Sequence, residues 1–168
     1  MSLLKHILLA SVLALALQNV QAADTEAAPV IEVYGPVGCL ACMEYVYHLS
    51  QNGITASFKG TSDMAAIKLR FKVPVAVQSV LTASVGGYFI EGHVPADDIK
   101  LLLSEKPKAR GLAVPGLPLG APGFEETDPT CEAGCTVLAG DSEREPLREL
   151  YYTLLVSPDG KTSIYARH

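Results

Sequence analysis

Val30-Ile31-Glu32-Val33-Tyr34-Gly35-Pro36-Val37-Gly38-Cys39-Leu40-Ala41-Cys42-Met43-Glu44-Tyr45-Val46-Tyr47-His48-Leu49 reads as a strand, a Gly/Pro turn and a helix that opens on Cys-x-x-Cys. Val30 to Tyr34 is β-branched and apolar almost without interruption, the pattern of a strand buried on both faces. Residues i and i+3 at a helix start have Cα atoms about 5 to 6 Å apart, within the range of a disulfide. Cys39 and Cys42 can therefore close into a disulfide or open to a dithiol. The unpaired N–H groups of a first helical turn stabilise an anion, so a thiolate there has a lowered pKa. Cys39, the more N-terminal and exposed, is the candidate nucleophile. Leu40 and Ala41 bring no charge and Glu44 opposes a thiolate, so the activation is modest. The same pair admits a static disulfide or half of a metal site.

Upstream, Lys5 is followed by the apolar run Ile7 to Leu17 and by small residues at Val20-Gln21-Ala22. This is the pattern of a secretory signal peptide, residues 1–22, cleaved after Ala22, and it is too short to span a membrane. Residues 23–168 then form one domain with a single core. The net charge of −5 becomes −6 without Lys5 and no basic cluster is present, which argues against nucleic acid and anionic membrane surfaces as partners. All four cysteines lie in the exported part, where disulfides persist, and the expected location is periplasmic or secreted.

Downstream, the first helix presents Met43, Val46, Tyr47 and Leu49 to the core and stops at Asn52-Gly53. Ile54 to Phe58 is a second strand, and Thr61-Ser62-Asp63 caps a helix from Met64 to Phe71. Val80 to Val85 and Tyr88 to Glu91 flank Gly86-Gly87 as a hairpin. Pro95 starts a third helix with Ile99, Leu101, Leu102 and Leu103 inward. Residues 107–149 form a loop-rich excursion. Its Gly/Pro-rich part, Pro107 to Gly123, is expected to pack over the core without a central strand, because each proline removes a ladder donor. Leu150 to Val156 and Thr162 to Ala166 flank Pro158-Asp159-Gly160 as a closing hairpin. The order β-α-β-α-β-β-α with Cys-x-x-Cys after the first strand resembles the thioredoxin fold: α/β, a central mixed sheet with flanking helices, plus a C-terminal hairpin.

Asp63 to Lys68, Thr82-Ala83, Gly87 to Ala96 with Glu91-Gly92-His93-Val94-Pro95-Ala96, Gly111 to Gly116, Pro122-Gly123 and Tyr165-Ala166-Arg167-His168 together resemble the periplasmic, thioredoxin-like copper-resistance G-type family, usually described as metal-binding. Members of that family carry Cys-x-Cys-Cys at the helix start, a Ser-Cys-His-Thr stretch before the hairpin, and methionines in the Gly/Pro-rich loop. Such soft ligands select Cu(I). Here Ala41, Val80-Leu81, Leu117 and Phe124 stand at those places, and the resemblance implies a divergent member that keeps only Cys39 and Cys42 of the thiol set. A thioredoxin would place a cis-proline where this chain has Leu81-Thr82.

Cys131 and Cys135 bracket three residues, which suits a local disulfide; a resolving role toward Cys39-Cys42, or a four-thiolate zinc site with them, are the alternatives. His48 lies off the cysteine face and reads as a surface histidine. His93 sits in a turn with a hydrogen-bonding or a metal role, and His168 is expected to be mobile. Met43 and Met64 read as core rather than as thioether ligands. No phosphate-cradling glycine motif, nucleophile elbow or paired-carboxylate arrangement is present. The reading is an exported protein whose Cys39-Cys42 pair performs thiol–disulfide exchange, as a thiol–disulfide oxidoreductase acting on other exported proteins through mixed disulfides in copper and envelope homeostasis. It requires no cofactor. The competing reading is a carrier that holds Cu(I) through Cys39 and Cys42 without turnover and meets copper-handling proteins.

Overall fold

The computed structural model describes residues 30–124 and 148–168. Strand β1 (Ile31–Pro36) leads through the Val37-Gly38 turn into helix α1 (Leu40–Gln51), which returns the chain to β2 (Ala56–Thr61), parallel to β1. Helix α2 (Met64–Arg70) and a 3-10 turn at Val75–Val77 bring the chain to β3 (Thr82–Val85), antiparallel to β1 on its other side. The hairpin to β4 (Tyr88–Glu91) turns on Gly86 and Gly87, both at positive φ. Helix α3 (Ala96–Glu105) carries the chain to β5 (Gly111–Ala113), parallel to β4, and the hairpin β6 (Tyr152–Val156) and β7 (Thr162–Arg167) extends the same sheet. The order β2-β1-β3-β4-β5-β6-β7 makes one mixed sheet with a thioredoxin-like centre. Among the described residues no helix is long and apolar enough to cross a membrane.

The two-residue period of the strands divides the core into two layers. Ile31, Val33, Ala83, Val85, Ile90 and Leu112 meet Cys42, Tyr45 and Leu49 of α1 and Ile99 and Leu102 of α3. Their neighbours Phe89, Ala113 and Val156 point the other way, against Val73, Val77 and the partly buried Phe71. The inward positions of α1 are thus Cys42, Tyr45 and Leu49, whereas Met43 and Tyr47, expected in the core, are exposed. Fixing Cys42 inward sets the helix phase, and Met43 and Tyr47 then fall on the solvent side. On α3 Ile99 and Leu102 are fully buried while Leu101 faces out, for the same reason of phase.

Two further expectations are corrected. The segment read as a loop without a central strand contains β5, whose three residues are wholly buried between β4 and β6. Prolines 107 and 115 bracket that run without entering it, so its ladder keeps every donor. Gly111 is required there, because a Cβ would stand 2.0 Å from the Phe89 carbonyl oxygen. His168, expected to be mobile, pairs with Tyr151 through both backbone bonds (3.0 and 3.2 Å), stacks on its ring, and brings Nε2 to 2.9 Å from Asp98 Oδ2, which also accepts from Thr153 Oγ1 at 2.5 Å.

On the α2 side the sheet buries an ion pair. Lys68 donates to Glu91 Oε1 and to Thr82 Oγ1 (3.1 Å), Thr82 Oγ1 donates to Glu91 Oε2 (2.6 Å), and the Ser79 N–H donates to Glu91 Oε1 (2.6 Å). Burial pushes the Glu91 carboxyl above its ordinary range, against these bonds, which favour the carboxylate. Where the chain leaves the described region at residue 124 and re-enters at 148 the two sides are tied together. The Glu149 N–H donates to the Leu119 carbonyl (2.9 Å), the Leu119 N–H donates to Glu149 Oε2 (3.2 Å), and Arg148 lies against Gly120.

Candidate functional site

The turn that delivers the cysteines is made by local chemistry. Gly38 adopts φ +77°, which L side chains rarely reach, and the Cys39 N–H closes the turn on the Pro36 carbonyl at 3.1 Å. Cys39 is the N-cap of α1: its sulfur accepts from the Cys42 N–H at 3.2 Å, and its carbonyl accepts from Met43. A sulfur in the place of a capping oxygen is aimed at the positive end of the helix. Cys39 and Cys42 form a disulfide with Cα atoms 5.3 Å apart. Cys42 is fully buried, and Cys39 is half-buried at the surface. Its exposed neighbours in the chain are apolar: Val37 is 75% and Leu40 69% exposed.

Gly35 on β1 makes room for the inner sulfur. A Cβ there would stand 2.6 Å from Cys42 Sγ and 3.1 Å from the Phe58 ring. Behind the disulfide the segment Glu91-Gly92-His93-Val94 serves both layers at once. Glu91 reaches Lys68 on one side of the sheet, while His93 turns to the other and is fully buried under α1. Gly92 allows this at φ +72°, where a Cβ would strike the Val114 carbonyl at 2.2 Å, and Val94 N–H closes a tight turn onto the Gly92 carbonyl at 3.0 Å.

His93 Nε2 lies 3.4 Å from the carbonyl oxygen of Ala41, inside the Cys-x-x-Cys loop. A carbonyl only accepts, so Nε2 carries the hydrogen in this bond. The imidazole and Tyr45 rings meet in a T-shaped arrangement with centroids 5.2 Å apart, and the Tyr45 hydroxyl donates to the Val94 carbonyl at 2.8 Å. Burial, with the nearby Asp98 charge, pushes the Tyr45 phenol far above its ordinary value. His48, expected on the surface, is instead half-buried with its ring parallel to Tyr45, because it follows that tyrosine by three residues on α1. Gly123 brings the Gly/Pro-rich loop onto the same helix: a Cβ there would stand 2.7 Å from the Tyr45 nitrogen.

Of the positions singled out in the sequence, the fold brings Val80 and Leu81 into the cluster that holds Cys42, with Cys39 at its margin. Leu117 and Phe124 are half-buried. Cys131 and Cys135 lie outside the described residues. Among the described residues no group of three or more His, Cys, Asp or Glu side chains is placed to hold a metal ion. Reading the sequence did not single out Gly35, Tyr45 or the Lys68–Glu91 pair. For Glu91 a signal existed, since it shares the strand face of buried Phe89 at i+2.

Two solved structures, named Copper resistance protein copG in Form 2 and Form 1, resemble the chain with TM-scores of 0.67 and 0.66 and 31% and 32% identity. Each comparison covers 83% of this chain and 98% or 96% of the other. The chain belongs to the copper resistance protein CopG family. Residues 77–124 also match a family described as a protein of unknown function, DUF411, and no curated protein matches the chain. In this CopG-family chain the matched stretch carries neither Cys39 nor Cys42. It supplies the wall behind them: Leu81, the Glu91 to Val94 segment and Gly123.

Proposed function

We propose that this protein carries out thiol–disulfide exchange on exported partners within copper and envelope homeostasis. The observation that carries the reading is the unequal setting of the two sulfurs at one helix start: Cys39 is half-buried at the surface and Cys42 fully buried. Exchange needs one sulfur that a partner thiolate can reach and a second that releases the mixed disulfide. Cys39 takes the first role and Cys42 the second. The apolar Val37 and Leu40 around Cys39 suit an extended cysteine-containing segment. Replacing Cys42 with Ala should trap partners covalently on Cys39, and replacing Cys39 should trap almost none. A Cys42→Ala protein that accumulates no reducible adducts in the cell overturns the reading.

A second reading follows from the copper named in the two solved neighbours. Here Cu(I) is cargo, held by the reduced Cys39 and Cys42 sulfurs without turnover. Ala41, Val80, Leu81, Leu117 and Phe124 stand as apolar replacements of soft ligands, and two thiolates hold one Cu(I) in linear geometry. The reduced protein, titrated under a competing chelator, should therefore bind about one ion per chain at most; several tightly bound coppers refute that ligand count. Export rests on the segment 1–22, and the Cys131–Cys135 linkage on their closeness in sequence.

A further inference from the structure

His93 is a fully buried side chain with a polar hydrogen-bonding group pressed against the loop that the disulfide closes. Its surroundings fix it from three directions. Gly92 forces the tight turn at its own backbone, the Tyr45 ring packs against it in a T-shaped pair with centroids 5.2 Å apart, and Nε2 donates to the carbonyl of Ala41 at 3.4 Å. That carbonyl sits between Cys39 and Cys42 in sequence, in the only two residues the pair brackets. It belongs to the first turn of α1 and is one residue from the buried sulfur. The turn is therefore fastened from outside the helix, by a residue more than fifty positions away in the chain.

We infer that His93 is a positioning residue for the Cys39–Cys42 pair: by holding the Ala41 carbonyl it keeps Cys42 facing Cys39 when the disulfide is open. The inference deepens the exchange reading and rests on it for its physiological meaning. The chemical step is the equilibrium of the protein disulfide with two glutathione thiols, which gives the protein dithiol and oxidised glutathione. A glutathione thiolate attacks Cys39 Sγ, the Cys39–Cys42 bond breaks, and Cys42 leaves as a thiolate that takes its proton from water. A second glutathione thiolate then attacks the glutathione sulfur and expels Cys39. In reverse, Cys42 attacks Cys39 in the mixed disulfide and releases glutathione. How readily that closure occurs depends on the effective concentration of Cys42 at Cys39, which a fixed turn raises and a loose turn lowers.

The experiment uses the purified chain recovered after export, free of metal, in glutathione buffers of graded ratio. His93→Leu removes the donor and leaves the part-buried Ala41 carbonyl without it. It is expected to shift the equilibrium toward the dithiol by about fivefold to tenfold, the fold-change that corresponds to one hydrogen bond, and to slow closure of the Cys39–glutathione mixed disulfide by a similar factor. His93→Gln places an amide nitrogen where Nε2 stands and should restore both to within about twofold of wild type. A stability role alone predicts something different: equal loss of thermal stability in the oxidised and reduced forms, with the equilibrium unmoved. That result, or a glutamine variant that behaves like leucine, overturns the inference. Should His93→Leu not fold, His93→Phe takes its place. Nitrogen-15 spectra of the wild type then give an independent decision, since hydrogen on Nε2 in both redox states is expected and hydrogen on Nδ1 alone in the reduced state refutes the holding bond. Failure of the Cys42→Ala trap with a shifted equilibrium in His93→Leu would sink the exchange reading and leave the positioning role standing.

Discussion

Replacing Gly35 with Ala tests the packing beneath the inner sulfur. The added Cβ would stand 2.6 Å from Cys42 Sγ and 3.2 Å from Cys42 Cβ, closer than real Cβ atoms approach a sulfur, with Phe58 closing the other side at 3.1 Å. In the oxidised protein Cys42 Sγ is tied to Cys39 and cannot rotate away, so the strand, the helix start or the Phe58 ring must shift. Overpacking of this kind costs about 1 to 3 kcal/mol. In the dithiol the Cys42 side chain regains its own rotation and sheds part of that strain. The substitution should therefore destabilise the oxidised form more than the reduced one. If all of the strain is relieved on reduction, the couple becomes more oxidising by about 20 to 60 mV, because 30 mV corresponds to about 1.4 kcal/mol for two electrons. Thermal unfolding of both redox forms and a glutathione titration measure the two halves of the argument. Equal destabilisation of the two forms with an unchanged potential would refute the claim that the Cys42 sulfur is what the new methyl meets.

Three further outcomes can be measured, two from the structure and the last from the sequence alone. Glu91→Ala strands Lys68 in the sheet's second layer and should cost about 3 to 5 kcal/mol, read from the urea midpoint; a loss below about 1 kcal/mol would mean that the pair is solvated. Tyr45→Phe leaves the Val94 carbonyl without its 2.8 Å donor and should cost about 1 to 3 kcal/mol with the ring packing kept, as measured by thermal melting. Intact mass and non-reducing peptide maps of protein from the envelope fraction should show a chain that begins at Ala23 with Cys131 joined to Cys135, and a chain retaining Met1, or a Cys131–Cys39 link, would contradict those expectations.

The first strand, the turn and the cysteine helix were legible because each rests on local chemistry: a β-branched run, Gly38 ahead of a cap, and two cysteines at helical spacing. The hairpin at Gly86-Gly87 was legible for the same reason. What could not be read was phase and distance. Nothing local says whether Met43 or Tyr45 faces inward until Cys42 is known to be buried, and the period of α2 is too irregular to reveal Lys68 as an inward residue. The three residues of β5 are too short a run to stand out from the Gly/Pro-rich segment that surrounds them. The bond from His93 to Ala41 joins residues that only the folded sheet brings together, so its motif could be noticed in the sequence but not its target.

The clasp between Leu119 and Glu149, with Arg148 over Gly120, means that the chain comes back beside the point from which it departs. The two sides are thus held to each other by bonds among described residues, Leu119 and Glu149, on either side of the connection. Doubling a connecting length costs only about 0.6 kcal/mol in closure entropy. A change in the number of residues between 124 and 148 is therefore expected to leave β5 and β6 in register, which amide exchange on a variant with an insertion between those positions would check.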